Sequence, residues 1–375
     1  MKPTVLGALN QAQRRAIRSG GFSLVELMVA MVIGMLGIVV MMQVFSVSEA
    51  QKRTTTSGDD AISSGAVSLY GMQREIQQSG WGISGIPVIG CTASPWGVAA
   101  VNLPLAPVTI NSPLIAAGFA DANTETLLIV SGSDNGTTQG DAIASGGGAS
   151  VLGVHTPTAF VKDDWVIGVP RERLEPCVAS AVRRVAATPV GVGVPLSVSA
   201  TLAGELLFNL GAIPRAIGYA VSGRNLMSCD FTASDCTSPP ANWVNIASNV
   251  VSLRAQYGHD TGPIPMTGVV GSWDRSTPTT GCGFVRTPAV RIAIVARSSQ
   301  PEKADSAGNS VTPVVPPWAG SVDTANTGEP AANVAFTFPD PDGANWPTSN
   351  DFRYKVFQTV VPLRNITSMG AVDGC

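Results

Sequence analysis

The stretch SGGFSLVELMVAMVIGMLGIVVMMQVF, residues 19–45, decides how the rest of this 375-residue chain is read. From Leu27 to Met42 every residue is apolar or Gly. With Phe22, Leu24, Val44 and Phe45 around it, the run reaches roughly 20 residues, and at about 1.5 Å per residue a helix of that length covers the hydrocarbon of a bilayer. Arg14, Arg15 and Arg18 precede it. That excess of basic charge predicts a cytoplasmic N-terminus, with the remainder on the far side of the membrane. Lys52 and Arg53 follow the run, but Asp59 and Asp60 soon answer them.

Two observations decide what kind of membrane segment this is. Ser46-Val47-Ser48 has the small-x-small form of a signal-peptidase site, as in a secreted protein. Against a signal peptide, the run exceeds the usual apolar core, and Glu26 sits within its leading edge, where an unpartnered carboxylate costs about 2–3 kcal/mol. The charge is tolerable only if a cation meets it. Gly34 and Gly37 let helices approach closely at this level.

The junction GG–FSLVE resembles the class III signal of type IV prepilins: a basic leader ending in Gly, then Phe, a short apolar stretch, and Glu as the fifth mature residue. The resemblance implies that a prepilin peptidase cuts between Gly21 and Phe22 and that the Phe22 amine is then methylated. Glu26 becomes the assembly carboxylate, paired with a neighbouring subunit's N-terminal ammonium in an apolar filament core. In a low dielectric such a pair is strong, and a wrong register strands a buried charge. The chain departs from many pilins in having no Pro within this helix, which puts local helix melting during assembly in doubt.

Beyond the apolar run, Ile62, Ala66, Leu69, Gln73 and Ile76, with Met72 beside them, recur at helical spacing, predicting an amphipathic continuation packed on a core. The TTTSGDD stretch at 54–60 is expected to be weak or bent, and Gly80, Gly82 and Gly85 to end the helix near Trp81. The remainder reads as strands and long loops: TLLIVSG (126–132), DWVIGV (164–169), ELLFNLG (205–211), IGYAVSGRNLMSC (217–229), NVVSLRAQYG (249–258), AVRIAIVAR (289–297) and RYKVFQTVV (353–361). In the fourth, Ser222-Gly223 is expected to form a hairpin turn.

SNVVSLRAQYGHD, AVRIAIVARSSQPEK and FRYKVFQTVVPLRN resemble, in that order, segments of the PilW family of minor type IV pilins. The fold implied is α+β and pilin-like: a long N-terminal helix, transmembrane then amphipathic, packed on a β-rich C-terminal head with long loops. Its expected divisions are a leader at 1–21, a transmembrane or filament-core helix at 22–47, an amphipathic continuation at 48–82 and a head at 83–375. The resemblance implies a minor pilin that primes assembly and joins a tip complex, supporting twitching motility and adhesion. Implied partners are other minor pilins, the major pilin, a tip adhesin, the prepilin peptidase and the inner-membrane assembly platform. The chain would lie in the inner membrane, single-pass, before assembly, and in a periplasmic or extracellular pilus afterwards. A minor pseudopilin of type II secretion shares this plan, and a head acting itself as an adhesin is a further alternative.

Composition narrows the other classes. The first 21 residues hold four of the 23 basic residues and no acid, so 19 bases face 26 acids in the rest, a net −7. Nucleic acid is a poor partner for such a surface. Six cysteines at 91, 177, 229, 236, 282 and 375 suit disulfides outside the cytoplasm. Cys229 and Cys236, across CDFTASDC, are the expected short-loop pair; the other pairings are open, with Cys375 placed to tie the C-terminus to the body. Only two histidines, His155 and His259, are present. Both read as loop histidines without a nucleophile motif, so neither zinc, catalysis, a cofactor nor a small-molecule substrate is expected. The weak metal candidates are the acidic loops with Asp134, Asn135 and Asp141 and with Asp340, Asp342, Asn345 and Asp351, whose spacing does not match an EF-hand.

Overall fold

The computed structural model describes residues 21–133, 139–145, 150–173, 175, 177, 180–197, 205–301, 317–322, 336 and 351–375. One helix, α1 (Leu24–Gln78), opens the described chain. Helical backbone continues through 54–60, where composition predicts a weak or bent part. The chain divides into two compact units at Arg53/Thr54. In the first, Leu24–Glu49 is long and apolar enough to cross a membrane by length and composition, and its large apolar side chains lie exposed.

In the second unit the end of α1 buries one face, Ala61, Gly65, Ser68, Met72 and Ile76, and Ser79 just beyond it is buried too. That face sits one residue away from the expected stripe for most of its length. Ile62 and Ala66 are exposed and Gln73 is half-buried, whereas Leu69, Met72 and Ile76 do face the core. The cause is close approach: a Cβ at Gly65 would collide with the Phe357 ring. Small residues bring the helix onto a strand there, and hydrophobicity does not mark them.

That strand belongs to a four-stranded antiparallel sheet ordered β15 (Ser272–Asp274), β14 (Val250–His259), β16 (Ala289–Arg297) and β17 (Tyr354–Pro362). Leu253, Ala255 and Tyr257 pair across to Ile294, Ile292 and Val290, and this face meets Met72 and Ile76 of α1 in one core. Period-2 alternation accounts for the inward set. The three segments that carry the PilW resemblance are thus adjacent strands β14, β16 and β17.

A five-stranded sheet runs β13 (Val244–Ser248), β12 (Asn225–Asp230), β11 (Arg215–Ser222), β4 (Leu127–Ser131) and β3 (Val108–Ile110). Leu127 and Ile129 enter the α1 core, while Leu128 and Val130 enter a second core with Trp96, Phe208 and Phe231. Burial on both faces explains why TLLIVSG is continuously apolar instead of alternating. The β11–β12 hairpin closes with Ser222 opposite Asn225. Its turn is Gly223-Arg224, both at positive φ (56° and 65°), one residue later than expected; this is the sign pattern of a type I′ turn.

Eight further strands form the third sheet, in the order β2 (Val101–Pro104), β1 (Thr92–Trp96), β8 (Ser180–Arg184), β7 (Trp165–Val169), β10 (Leu206–Gly211), β5 (Asp141–Ser145), β6 (Val151–Val154) and β9 (Gly193–Pro195). Val185 bridges Leu196, and Ser197 N donates to Arg184 O (2.9 Å), so β9 returns to the end of β8. Six strands therefore close into a small barrel filled by Leu152, Val154, Phe160, Val166, Val185, Val194, Leu196 and Leu207. Closure removes an edge that would otherwise invite pairing.

Disulfides join Cys91 to Cys177, Cys229 to Cys236 and Cys282 to Cys375. The first and third close loops of 86 and 93 residues in sequence separation, each restricting the unfolded chain by about 4–5 kcal/mol in the loop-entropy model. The third holds the C-terminal residue on the short helix α2 (Gly281–Val285).

Candidate functional site

The residues at the start of α1 form a local capping arrangement. Ser23 stands just before the first helical residue, its Oγ accepting from Val25 N (3.3 Å), and Glu26 Oε2 accepts from Ser23 N (3.0 Å). Ser23-x-x-Glu26 is thus a capping box, in which a carboxylate at the third helical position satisfies the cap's own N–H. Its negative charge also meets the positive end of the helix dipole. Glu26 therefore has a role within its own helix besides any between subunits. The S-x-x-E spacing is a helix-start signal, passed over when Glu26 is read from sequence only as an assembly carboxylate. Gly21 and Phe22 lie just outside this turn and are exposed.

A second set of residues fixes the end of α1 to the head. Asn365 Nδ2 donates to the carbonyls of Gln78 (3.1 Å) and Ser79 (2.8 Å), closing groups that a helix C-terminus leaves open. Gly80, at φ +81°, follows directly and packs beside Asn365 and Pro107. Arg215 of β11 meets Glu75 at 3.0 Å. Tyr257 of β14 accepts from Ile110 N (2.8 Å) and donates to Val108 O (3.2 Å), tying two sheets. Burial pushes its phenol up to about 12, so it remains a donor at any ordinary pH. Asn365, at the end of the resemblance segment PLRN, was not singled out from sequence; no local pattern reveals a cap supplied from nearly three hundred residues away.

Two charged clusters are structural. Glu125 Oε1 receives Arg254 (2.8 Å) and Arg275 (3.2 Å) in the interior. Burial raises the Glu125 carboxyl and the two guanidiniums oppose the rise. Asp260 Oδ2 accepts from Thr267 N (2.5 Å) and Gly268 N (2.6 Å), and Oδ1 from Gly262 N (2.8 Å), organising the 260–271 loop. Burial alone would raise this carboxyl, but those N–H donors together hold it below the usual range. Arg286 Nε donates to Asp260 O (2.9 Å) and its Nη1 to Cys375 O (2.5 Å), connecting the loop to the C-terminal disulfide.

The histidines separate. His155 is exposed after β6. His259 is not a loop residue: it ends β14, with Nε2 3.1 Å from Asp274 Oδ1 and Nδ1 3.3 Å from Thr287 Oγ1. Thr287 is buried and its hydroxyl donates to Gly283 O (2.9 Å). The chain of three resembles a hydrolytic triad in composition, but its hydroxyl is buried and its hydrogen is committed to Gly283 O. Cys229 and Cys236, the pair expected from sequence, are bonded. Of the metal candidates, Asp134, Asn135, Asp340, Asp342 and Asn345 lie outside the described residues. Asp141 accepts from Thr156 N (2.5 Å) and Asp351 is buried. Among the described residues no group of three or more His, Cys, Asp or Glu is placed to hold a metal.

Comparison with known proteins bears on both ends of this arrangement. The prokaryotic N-terminal methylation motif matches residues 17–42, covering the Gly21–Phe22 junction, the capping box and most of the apolar helix. That motif thus coincides with the helix that is long and apolar enough to cross a membrane, and a β-rich unit follows it in the chain. Residues 222–365 match the family described as type IV pilus-assembly protein W, PilW, so the chain is similar to that family over this part of its length. The match opens at the β11–β12 turn and closes on Asn365, taking in the whole four-stranded sheet. Among solved structures, the type IV-like pilin TTHA1219 from Thermus thermophilus is similar at 14% sequence identity, covering 56% of this chain and 87% of that one, with a TM-score of 0.23. No curated protein sequence matches the chain. Pilus-assembly families act with other pilus components and are typically structural, not enzymatic.

Proposed function

We propose that the chain is a minor pilin that primes type IV pilus assembly and forms part of the tip complex, supporting twitching motility and adhesion. The observation that carries this reading is the coincidence, in one chain, of the methylation motif over Glu26 and the PilW match over the sheet that grips α1. In this reading residues 1–21 are a cytoplasmic leader removed by the prepilin peptidase, and Phe22 becomes a methylated N-terminus. Residues 22–47 store the subunit in the inner membrane and later enter the filament core. Residues 48–82 continue the helix, and 83–375 form the periplasmic, then extracellular, head.

Glu26 supplies the register. Its carboxylate pairs with a neighbour's N-terminal ammonium, and the apolar surroundings make any other placement costly. The head offers a surface for other minor pilins, the major pilin and a tip adhesin, while the assembly platform receives the helix. Deleting the gene tests the reading: surface pili should be lost while exoprotein secretion continues. Intact piliation with lost secretion would instead support the pseudopilin of a type II secretion system.

A further inference from the structure

The end of α1 carries a second seam, opposite the face that meets the sheet. Ser63, Val67, Tyr70, Arg74 and Gln77 recur at spacings of four, three, four and three residues, and Asp59 stands four residues before them. At about 100° per residue these positions lie within about 40° of one line along the helix. Ala61, Gly65, Ser68, Met72 and Ile76 occupy the far side. Val67 is 69% exposed and Tyr70 67%. Asp59, Ser63 and Arg74 are exposed too, and Gln77 is half-buried. A four-three repeat is the spacing by which one helix seats another, and the head uses only the opposite face.

Charge divides this seam and limits what it can meet. Asp59 marks the upstream end. At the downstream end Tyr70, Gln73, Arg74, Gln77 and Gln78 line a cleft of about 280 Å³ with Arg364. Arg364 is held there because the next residue, Asn365, donates to the carbonyls of Gln78 and Ser79. Glu75, the acid next to Arg74, pairs instead with Arg215 at 3.0 Å. Among the described residues neither Arg74 nor Arg364 has an ion-pair partner. The cleft thus holds two positive charges and no negative one, a setting that receives a carboxylate.

The upstream part of α1 fixes the direction of approach. Leu24–Glu49 is long and apolar enough to cross a membrane, so a partner anchored from the same side runs parallel to α1 and is held at its level by the bilayer. A second copy of the chain, so placed, sets Arg74 against Arg74 and Asp59 against Asp59, which is repulsive at both ends. We propose that the Asp59–Gln77 seam, with Arg364, docks a different membrane-anchored helix of opposite charge pattern: a carboxylate at the level of Arg74 and a base at the level of Asp59. Val67 and Tyr70 supply the apolar contact between these two charged ends. The proposal rests on the pilin reading for a parallel partner and deepens it by giving that partner's chemistry.

The test supplies that chemistry on a copy of the chain itself. Two full-length copies with different tags are co-expressed in the membrane of a host that makes no other pilin. Each carries Ser63→Cys, the one free thiol among the described residues since the six native cysteines are paired. One copy also carries Asp59→Lys, Arg74→Glu and Arg364→Glu. A short bismaleimide then reports helices that lie side by side at residue 63. The mixed pair should cross-link about tenfold more than either copy with itself, as the sum of several exposed charge pairs made favourable instead of repulsive. High sodium chloride should shrink that preference, and Val67→Asp in both copies should abolish the mixed product. Equal yields from mixed and like pairs, or a mixed yield indifferent to Val67→Asp, would overturn the proposal. Since the host builds no pilus, such a result leaves the priming role standing, and normal piliation of the deletion strain would leave the helix pairing as measured.

Discussion

Glu26 shows how one carboxylate can serve two scales. Within its helix it accepts from Ser23 N; between subunits, in the proposed assembly, it meets an ammonium. Substitution separates these roles, because Gln also serves in a capping box while carrying no charge. Glu26→Gln should therefore preserve cleavage and the helix start yet reduce incorporation into filaments as severely as Glu26→Ala. Immunoblots of sheared pili against whole-cell prepilin would show it, and normal incorporation of the Gln variant would remove the charge from the mechanism. Asp260 gives a residue-level test in the head. Its folded carboxyl lies below the unfolded value of about 3.8–3.9, so its contribution to stability is present above that value and is lost as pH falls through the folded one. The urea midpoint of the parent should exceed that of Asp260→Asn at neutral pH, and the gap should narrow below about pH 4. A gap independent of pH would mean that the loop is held without the charge.

The α1 face is the element where sequence and structure part most usefully. The periodic apolar residues located the helix and found Leu69, Met72 and Ile76, but upstream of them the contact is made by Ala61, Gly65 and Ser68. A pattern of large apolar residues reports burial by side-chain volume; this interface is built by its absence, with the Phe357 ring lying where a Gly65 side chain would stand. Gly65→Val should consequently destabilise the head by about 1–3 kcal/mol through overpacking, whereas Ile62→Ser, at an exposed position, should change stability by less than about 0.5 kcal/mol. Thermal melts of the two variants would distinguish them, and the reverse order would refute the placement of the helix. The strands were more legible, since β14, β16 and β17 are long and, like the shorter β4, rich in branched residues. The turn in β11–β12 was displaced by one residue because Gly223 can occupy either turn position, and Arg224 at positive φ carries no sequence mark. His259 was read as solvated because its setting, Tyr-Gly-His-Asp, resembles a turn; the pairing with Ser272 of β15 that makes it strand has no mark in the local sequence.

At the scale of the whole molecule, the two family matches correspond to two physical tasks. The first gives a helix that an apolar environment can hold, with one charge to place; the second gives a sheet that holds the end of that helix. The region before residue 222 supplies the rest of the five-stranded sheet and the barrel, whose closure could not be read from sequence because Val185 and Leu196 pair through an isolated bridge. Disulfide pairing was legible only where the loop was short, between Cys229 and Cys236; the two long closures depend on tertiary approach. In the proposed assembly Phe22 becomes the first residue of a chain that keeps its apolar helix. Intact-mass and N-terminal peptide analysis of the protein recovered from its native cell envelope tests this most directly. The account predicts a mature N-terminus at Phe22 carrying one methyl group, with Glu26 retained as the fifth residue; a terminus at Glu49, after Ser46-Val47-Ser48, would contradict it.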